Sequence, residues 1–160
     1  MNIEDFSIWK KWVNRDKINN INYPGIYAIS ISLQNIEDKK FSWLAEIKYI
    51  GMTNSVSGLK GRLKQFDNTI IGKTGHGGAD RFRYKHQDYK ELIEHLYVSV
   101  MPFQCNVKSN NPEDLRIMGK VAQFEYDCFA EYVNIFGCLP EFNDKIKSKK
   151  YSLTYGKSNS

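Results

Sequence analysis

Tyr27, Tyr49, Arg62, Glu125 and Asn143 are the residues of this sequence whose types and order could do chemistry together. A guanidinium grips an oxyanion such as phosphate through two parallel hydrogen bonds. A carboxylate can hold magnesium, a cation that prefers oxygen ligands and keeps several of its waters. A phenol with an ordinary pKa of about 10 is a poor base at neutral pH, but a nearby cation lowers that value and makes a phenolate accessible. Whether these groups meet depends on the elements that carry them.

The tyrosines belong to the triplets Gly25-Ile26-Tyr27 and Tyr49-Ile50-Gly51, each inside a short apolar run. Residues 26–33 and 44–51, rich in β-branched and aromatic side chains, read as two strands joined by a polar, change-tolerant loop. Such a pair would set Tyr27 and Tyr49 side by side on one sheet. A helix over residues 57–65 carries Leu59, Arg62 and Leu63. Residues 67–80 hold Gly72, Gly75, Gly77 and Gly78 and read as a loop. One or two helical turns fit residues 88–95, and residues 96–103 read as a third strand. Near the N-terminus, Phe6, Trp9, Trp12 and Val13 recur at helical spacing over residues 5–14.

Asn111-Pro112-Glu113-Asp114 opens the last long helix with a capping residue, a proline and acids in the first turn. Gly137 is its expected stop. Leu115, Met118, Val121, Ala122, Cys128, Phe129, Tyr132 and Phe136 recur at three- and four-residue steps and define a core-facing stripe. Glu125 falls within it. A buried carboxylate is costly unless a cation or several donors satisfy it. It is therefore either a metal ligand at the floor of a cleft, or half of a structural salt bridge, or the mark of a slightly rotated helix.

The ordered set of two triplets, Arg62, helical Glu125 and Leu139-Pro140-Glu141-Phe142-Asn143 resembles the GIY-YIG nuclease family. The resemblance covers roughly residues 22–66 and 96–143. It implies an α/β (α+β) domain, a small three-stranded antiparallel sheet flanked by helices, and hydrolysis of DNA phosphodiesters with one divalent metal, Mg²⁺ or Mn²⁺. By position it also implies roles. Tyr27 and Tyr49 are the paired tyrosines, one helping to activate water, and Arg62 holds the scissile phosphate. Glu125 is the sole protein ligand of the metal, and Asn143 supports the site. The family often carries a tyrosine or histidine four residues after the arginine, where this chain has Phe66. His76, in Gly75-His76-Gly77-Gly78, is the candidate to fill that gap as a catalytic group, and is otherwise a loop histidine without a role.

The 160 residues make one domain, with residues 67–95 as an insertion and a basic, loosely held tail over residues 145–160. The net charge of +5 favours polyanionic partners. Two clusters are expected to contact nucleic acid, Arg81, Arg83 and Lys85 (with His86 beside them), and Lys145, Lys147, Lys149 and Lys150; each is otherwise a solvated surface run. Cys105, Cys128 and Cys138 form no CxxC pair, so reduced, mostly buried thiols are expected. No apolar run reaches the roughly 18 residues of a membrane span, and the acidic start does not read as a signal peptide, so a cytoplasmic location is expected. Together with the chain length, the resemblance implies a compact, restriction-type endonuclease, for which a homodimer would supply the two active sites that duplex cutting calls for. The alternatives are a structure-specific nickase in repair or phage defence, and a nucleic-acid-binding module whose catalysis the Phe66 change has weakened.

Overall fold

The computed structural model describes residues 2–156, and they form an antiparallel sheet with both faces covered. Its strands are β1 (Lys10–Lys11), β2 (Gly25–Ile31), β3 (Ile47–Thr53) and β4 (Leu96–Pro102), in the spatial order β1-β4-β2-β3. The sheet thus has four strands where the sequence led us to expect three. The extra one is a two-residue edge, Lys10↔Val98 and Lys11↔Tyr97, too short to leave a periodic signature.

Alternation along the strands sends side chains into two cores. Tyr27 and Ile29 of β2, with Val98 and Val100 of β4, pack beneath α1 (Gly58–Ile71), α2 (Gly77–Lys85) and α3 (Tyr89–Glu94). Ile26 and Ala28, with Tyr97 and Met101, pack on the other face against α4 (Pro112–Phe136) and the N-terminal segment. A short helix α5 (Tyr151–Thr154) follows.

Three sequence expectations fail here for identifiable reasons. Residues 5–14 are not a helix. They form 3₁₀ turns at Ile3–Asp5 and Trp12–Lys17 around β1, and Val13 is exposed. The spacing of Phe6, Trp9 and Trp12 instead serves two cores, Phe6 and Trp9 in one and Trp12 in the other. The β2–β3 connection is not freely tolerant either, because its Phe41 is buried and stacks on Phe6 at 4.1 Å between ring centroids. Residues 67–80 are largely helical, with α1 running on to Ile71 and α2 starting at Gly77. Asp67 helps hold that extension, accepting from Trp12 Nε1 at 2.7 Å and from the Tyr89 hydroxyl at 3.0 Å.

The long helix starts and stops where its capping residues indicate, ending on Gly137 at φ 78°. Its stripe is only partly buried. Val121, Cys128 and Tyr132 are in the core, while Leu115 and Ala122 are exposed. Length explains the first. A helix of 25 residues is about 37 Å long and a strand of seven about 23 Å, so the N-terminal turns project past the sheet. Rotation explains the second, and leaves Glu125 half-buried on the flank of the stripe. Of the three cysteines none is in a disulfide, and only Cys128 is buried.

Candidate active site

Antiparallel pairing sets Tyr27 opposite Gly51 and Tyr49 opposite Ile29. The two tyrosines are therefore diagonal neighbours on the face under α1 and α2, with ring centroids 6.0 Å apart. Two glycines make room for them. A Cβ on Gly51 would lie 2.4 Å from the Tyr27 hydroxyl, and one on Gly78 would lie 2.5 Å from the Tyr49 ring. The final glycine of the second triplet is thus the floor under the first tyrosine.

Tyr27 is fully buried, whereas Tyr49 is half-buried. Above Tyr27 sits His76, which is neither in a loop nor solvated. It is the N-cap of α2 and 1% exposed, and its Nδ1 accepts the Ala79 amide hydrogen at 3.1 Å. Burial, with the Arg62 charge second, pushes its pKa down to about 3, so the ring is neutral. A neutral imidazole with Nδ1 accepting must carry its proton on Nε2. That Nε2–H then donates to the Tyr27 hydroxyl, 2.7 Å away. Phe66 is fully buried beside this pair, its ring 5.0 Å from that of His76.

Burial raises the pKa of both phenols. The rise is the larger at fully buried Tyr27, and at half-buried Tyr49 it is opposed by the Arg62 and Arg81 charges. The sequence of donors is Ala79 amide to His76 and His76 to Tyr27. Negative charge costs less on Tyr49, the phenol nearer to solvent.

Arg62 reaches this pair from α1 and lowers the pKa of both phenols. Its Nη1 donates to Gln65 Oε1 at 2.5 Å, and Gln65 Nε2 donates to the Gly75 carbonyl at 2.9 Å. The guanidinium is thus fixed to the same turn that presents His76, while its Nε is buried without a partner. Gln65 escaped the sequence reading, although its place three residues after Arg62, one helical turn on, was the available signal.

Glu125 approaches from α4 and acts on Tyr49. Desolvation raises its pKa, opposed by Arg62 and then Lys145. It makes neither a hydrogen bond nor an ion pair within 4.0 Å among the described residues, so the structural salt bridge has no partner there. A desolvated carboxylate without a protein donor, beside a fixed guanidinium, fits a single oxygen ligand of a hard divalent cation whose other positions are water and phosphate. No cluster of three or more His, Cys, Asp or Glu able to hold a metal exists among the described residues.

Asn143 touches the backbone beside the site rather than the phenols. Its Oδ1 accepts the Ile50 amide and its Nδ2 donates to the Ile50 carbonyl, both at 2.8 Å. Phe142 N donates to the Lys48 carbonyl at 2.9 Å. The segment therefore pairs with the open edge of β3 on either side of Tyr49 and positions that residue through its backbone.

The basic clusters divide. Arg81 reaches Tyr49 as well, lowering its pKa. Arg83 is committed to the Gly72 carbonyl at 3.2 Å and to the face of Tyr151 at 3.8 Å. Lys85 pairs with Glu141, which Lys48 also approaches at 3.4 Å. His86 sits near Phe142. Lys145, Lys147 and Lys149 are exposed, and Lys150 is half-buried beside Gly77. The tail is not loose over its described part. Ser152 bonds Asp80, and Tyr155 stacks on Tyr84, so α5 is docked on α2; residues 157–160 lie outside the described residues. The described helices include none long and apolar enough to cross a membrane.

Compared with protein-family models, curated proteins and solved structures, the chain finds no match in any of the three.

Proposed function

We propose that this chain is a divalent-metal-dependent endonuclease that hydrolyses DNA phosphodiester bonds in the cleft beside β3. One arrangement carries the reading: the Tyr49 ring lies 6.0 Å from that of Tyr27 and against Gly78 of α2. The charges of Arg62 of α1, Arg81 of α2 and Glu125 of α4 act on its phenol. The GIY-YIG resemblance of the ordered residues supports the same reading.

In this mechanism Arg62 holds the scissile phosphate, its geometry set by Gln65. Tyr49, ionised to the phenolate beforehand, takes the proton of the attacking water as the water oxygen bonds to phosphorus. The P–O ester bond breaks, and its electron pair leaves on the departing oxygen, which solvent protonates. The Arg62 and Arg81 charges stabilise the Tyr49 phenolate, and the Tyr27 ring, held by His76 Nε2–H, packs beside it. His76 is thus a positioning residue rather than a base. Glu125 would hold Mg²⁺ or Mn²⁺, which when bound supplies polarisation of the phosphoryl group and stabilisation of the leaving oxygen.

Supercoiled plasmid incubated with the protein in Mg²⁺ or in EDTA tests this. We expect nicked or linear product in Mg²⁺ alone. Binding without cleavage in any divalent metal would overturn the enzymatic reading and leave a nucleic-acid-binding module.

A further inference from the structure

Arg81 holds an unusual position for a residue of a surface basic cluster. It is half-buried on α2, its Nη1 donates to the Gly77 carbonyl at 3.0 Å, and its Nε is buried without a partner. It reaches Tyr49 from one side while lining, on the other, a cavity of about 450 Å³ between α2 and the segment after α4. A Cβ on Gly78 of the same α2 turn would lie 2.5 Å from the Tyr49 ring, and one on Gly77 would lie 3.7 Å from Arg81 Nη1. Helix α2 therefore brings Arg81 and Tyr49 together, while Arg62 acts on the phenol from α1.

The cavity has the chemistry of a nucleotide subsite. Half-buried Tyr84 gives it an aromatic wall, with buried Phe142 at its base. Among its charged groups, Lys85 is neutralised by Glu141, and Asp144 accepts the backbone amides of Ile146 and Lys147. Arg81 and Lys149 remain without an acidic partner among the described residues. An aromatic surface with cations at its rim suits a base and its phosphate. The volume also lies within the roughly 300–1,000 Å³ of small-ligand sites.

We propose that Arg81 grips the phosphate adjacent to the scissile one and that the cavity receives the nucleotide carrying it. The proposal rests on the nuclease reading above. It assigns the two guanidiniums to consecutive phosphates of one strand, and it sets the direction in which that strand leaves the cleft, over α2 toward Lys149.

The test uses duplexes carrying a single methylphosphonate, which removes one phosphate charge, at either neighbour of the mapped scissile phosphate. Single-turnover rates and metal-free affinities are measured for wild type, Arg81→Ala and Arg81→Lys. Arg81→Ala should lose roughly 10- to 100-fold, the usual consequence of deleting a hydrogen bond to a charged group. The methylphosphonate at one neighbour should cost wild type a similar factor and cost Arg81→Ala nothing further. Arg81→Lys should recover only part, lacking the fork. Additive losses at both neighbours would overturn the proposal, as would an Arg81→Ala protein of wild-type activity. Should the alanine variant unfold, the lysine variant carries the same comparison. The salt slope of binding keeps the proposal distinct from the nuclease reading. It should fall by about one in Arg81→Ala even if no cleavage is found, and an unchanged slope would remove Arg81 from the phosphate path.

Discussion

At the residue scale, the unusual group is a histidine 1% exposed whose two ring nitrogens are both committed. Its burial as a neutral ring ties stability to pH. The folded pKa of about 3 lies below the usual 6.5, so between those values the unfolded chain binds the extra proton and stability falls as pH falls. Urea titrations from about pH 7 to about pH 5 should show a loss of roughly 2 kcal/mol attributable to this residue. His76→Gln should flatten that dependence, and an unchanged pH profile would mean that the imidazole is not buried neutral. Burial also ranks the phenols, since fully buried Tyr27 is the harder of the two to ionise. Tyr49→Phe should lower the single-turnover rate by about the 10²–10⁴-fold of a lost general base, and Tyr27→Phe by less. The reverse order would assign the base to Tyr27. Wild-type rates should rise with pH across the neutral range, because burial raises the Tyr49 pKa above its ordinary value and the phenolate fraction is the limiting species. Glu125 was legible from its place in an apolar stripe, whereas Tyr27, Tyr49 and Arg62 were grouped with it only through the resemblance of the ordered residues to the GIY-YIG family. The part played by His76 was not legible: glycines on both sides suggested a mobile loop, whereas they free the backbone for an N-cap and for the Tyr49 ring.

At the element scale, the site depends on an edge strand kept in place by a side chain from the far end of the chain. Asn143 supplies two backbone-like hydrogen bonds to Ile50, so Asn143→Ala should destabilise the fold by about 1–3 kcal/mol. It should also slow cleavage more than it weakens DNA binding. A variant with wild-type melting would place Asn143 outside the sheet edge. Gly51→Ala puts a methyl carbon 2.4 Å from the Tyr27 hydroxyl, an overpacking worth about 1–3 kcal/mol in a core that cannot give way. Strands and long helices were readable because periodicity and caps are local: β2, β3, β4 and α4 follow their patterns within a few residues. The two-residue β1 and the rotation of α4 were not, since both are settled by what packs against them.

At the scale of the whole molecule, a sheet covered on both faces leaves the flank of β3 as the place where α1, α2 and α4 bring their charges to Tyr49. The surplus positive charge gathers nearby, in Lys145, Lys147, Lys149 and Lys150. Replacing these four by alanine should reduce the salt slope of DNA binding by about 3 to 4, and an intact slope would return them to ordinary solvated surface. The docked α5 predicts that this segment resists proteolysis in the free protein and loses that protection in Asp80→Ala, which removes its bonds to Ser152. The central claim, that Glu125 is the metal-binding carboxylate of a hydrolytic site, meets its most direct test in single-turnover cleavage by Glu125→Gln. The amide keeps the shape and removes the charge. Because the carboxylate has no protein partner, the variant should melt at or above the wild-type temperature and still bind DNA, while Mg²⁺-dependent cleavage falls to background. Cleavage near the wild-type rate by a folded Glu125→Gln protein would contradict the account.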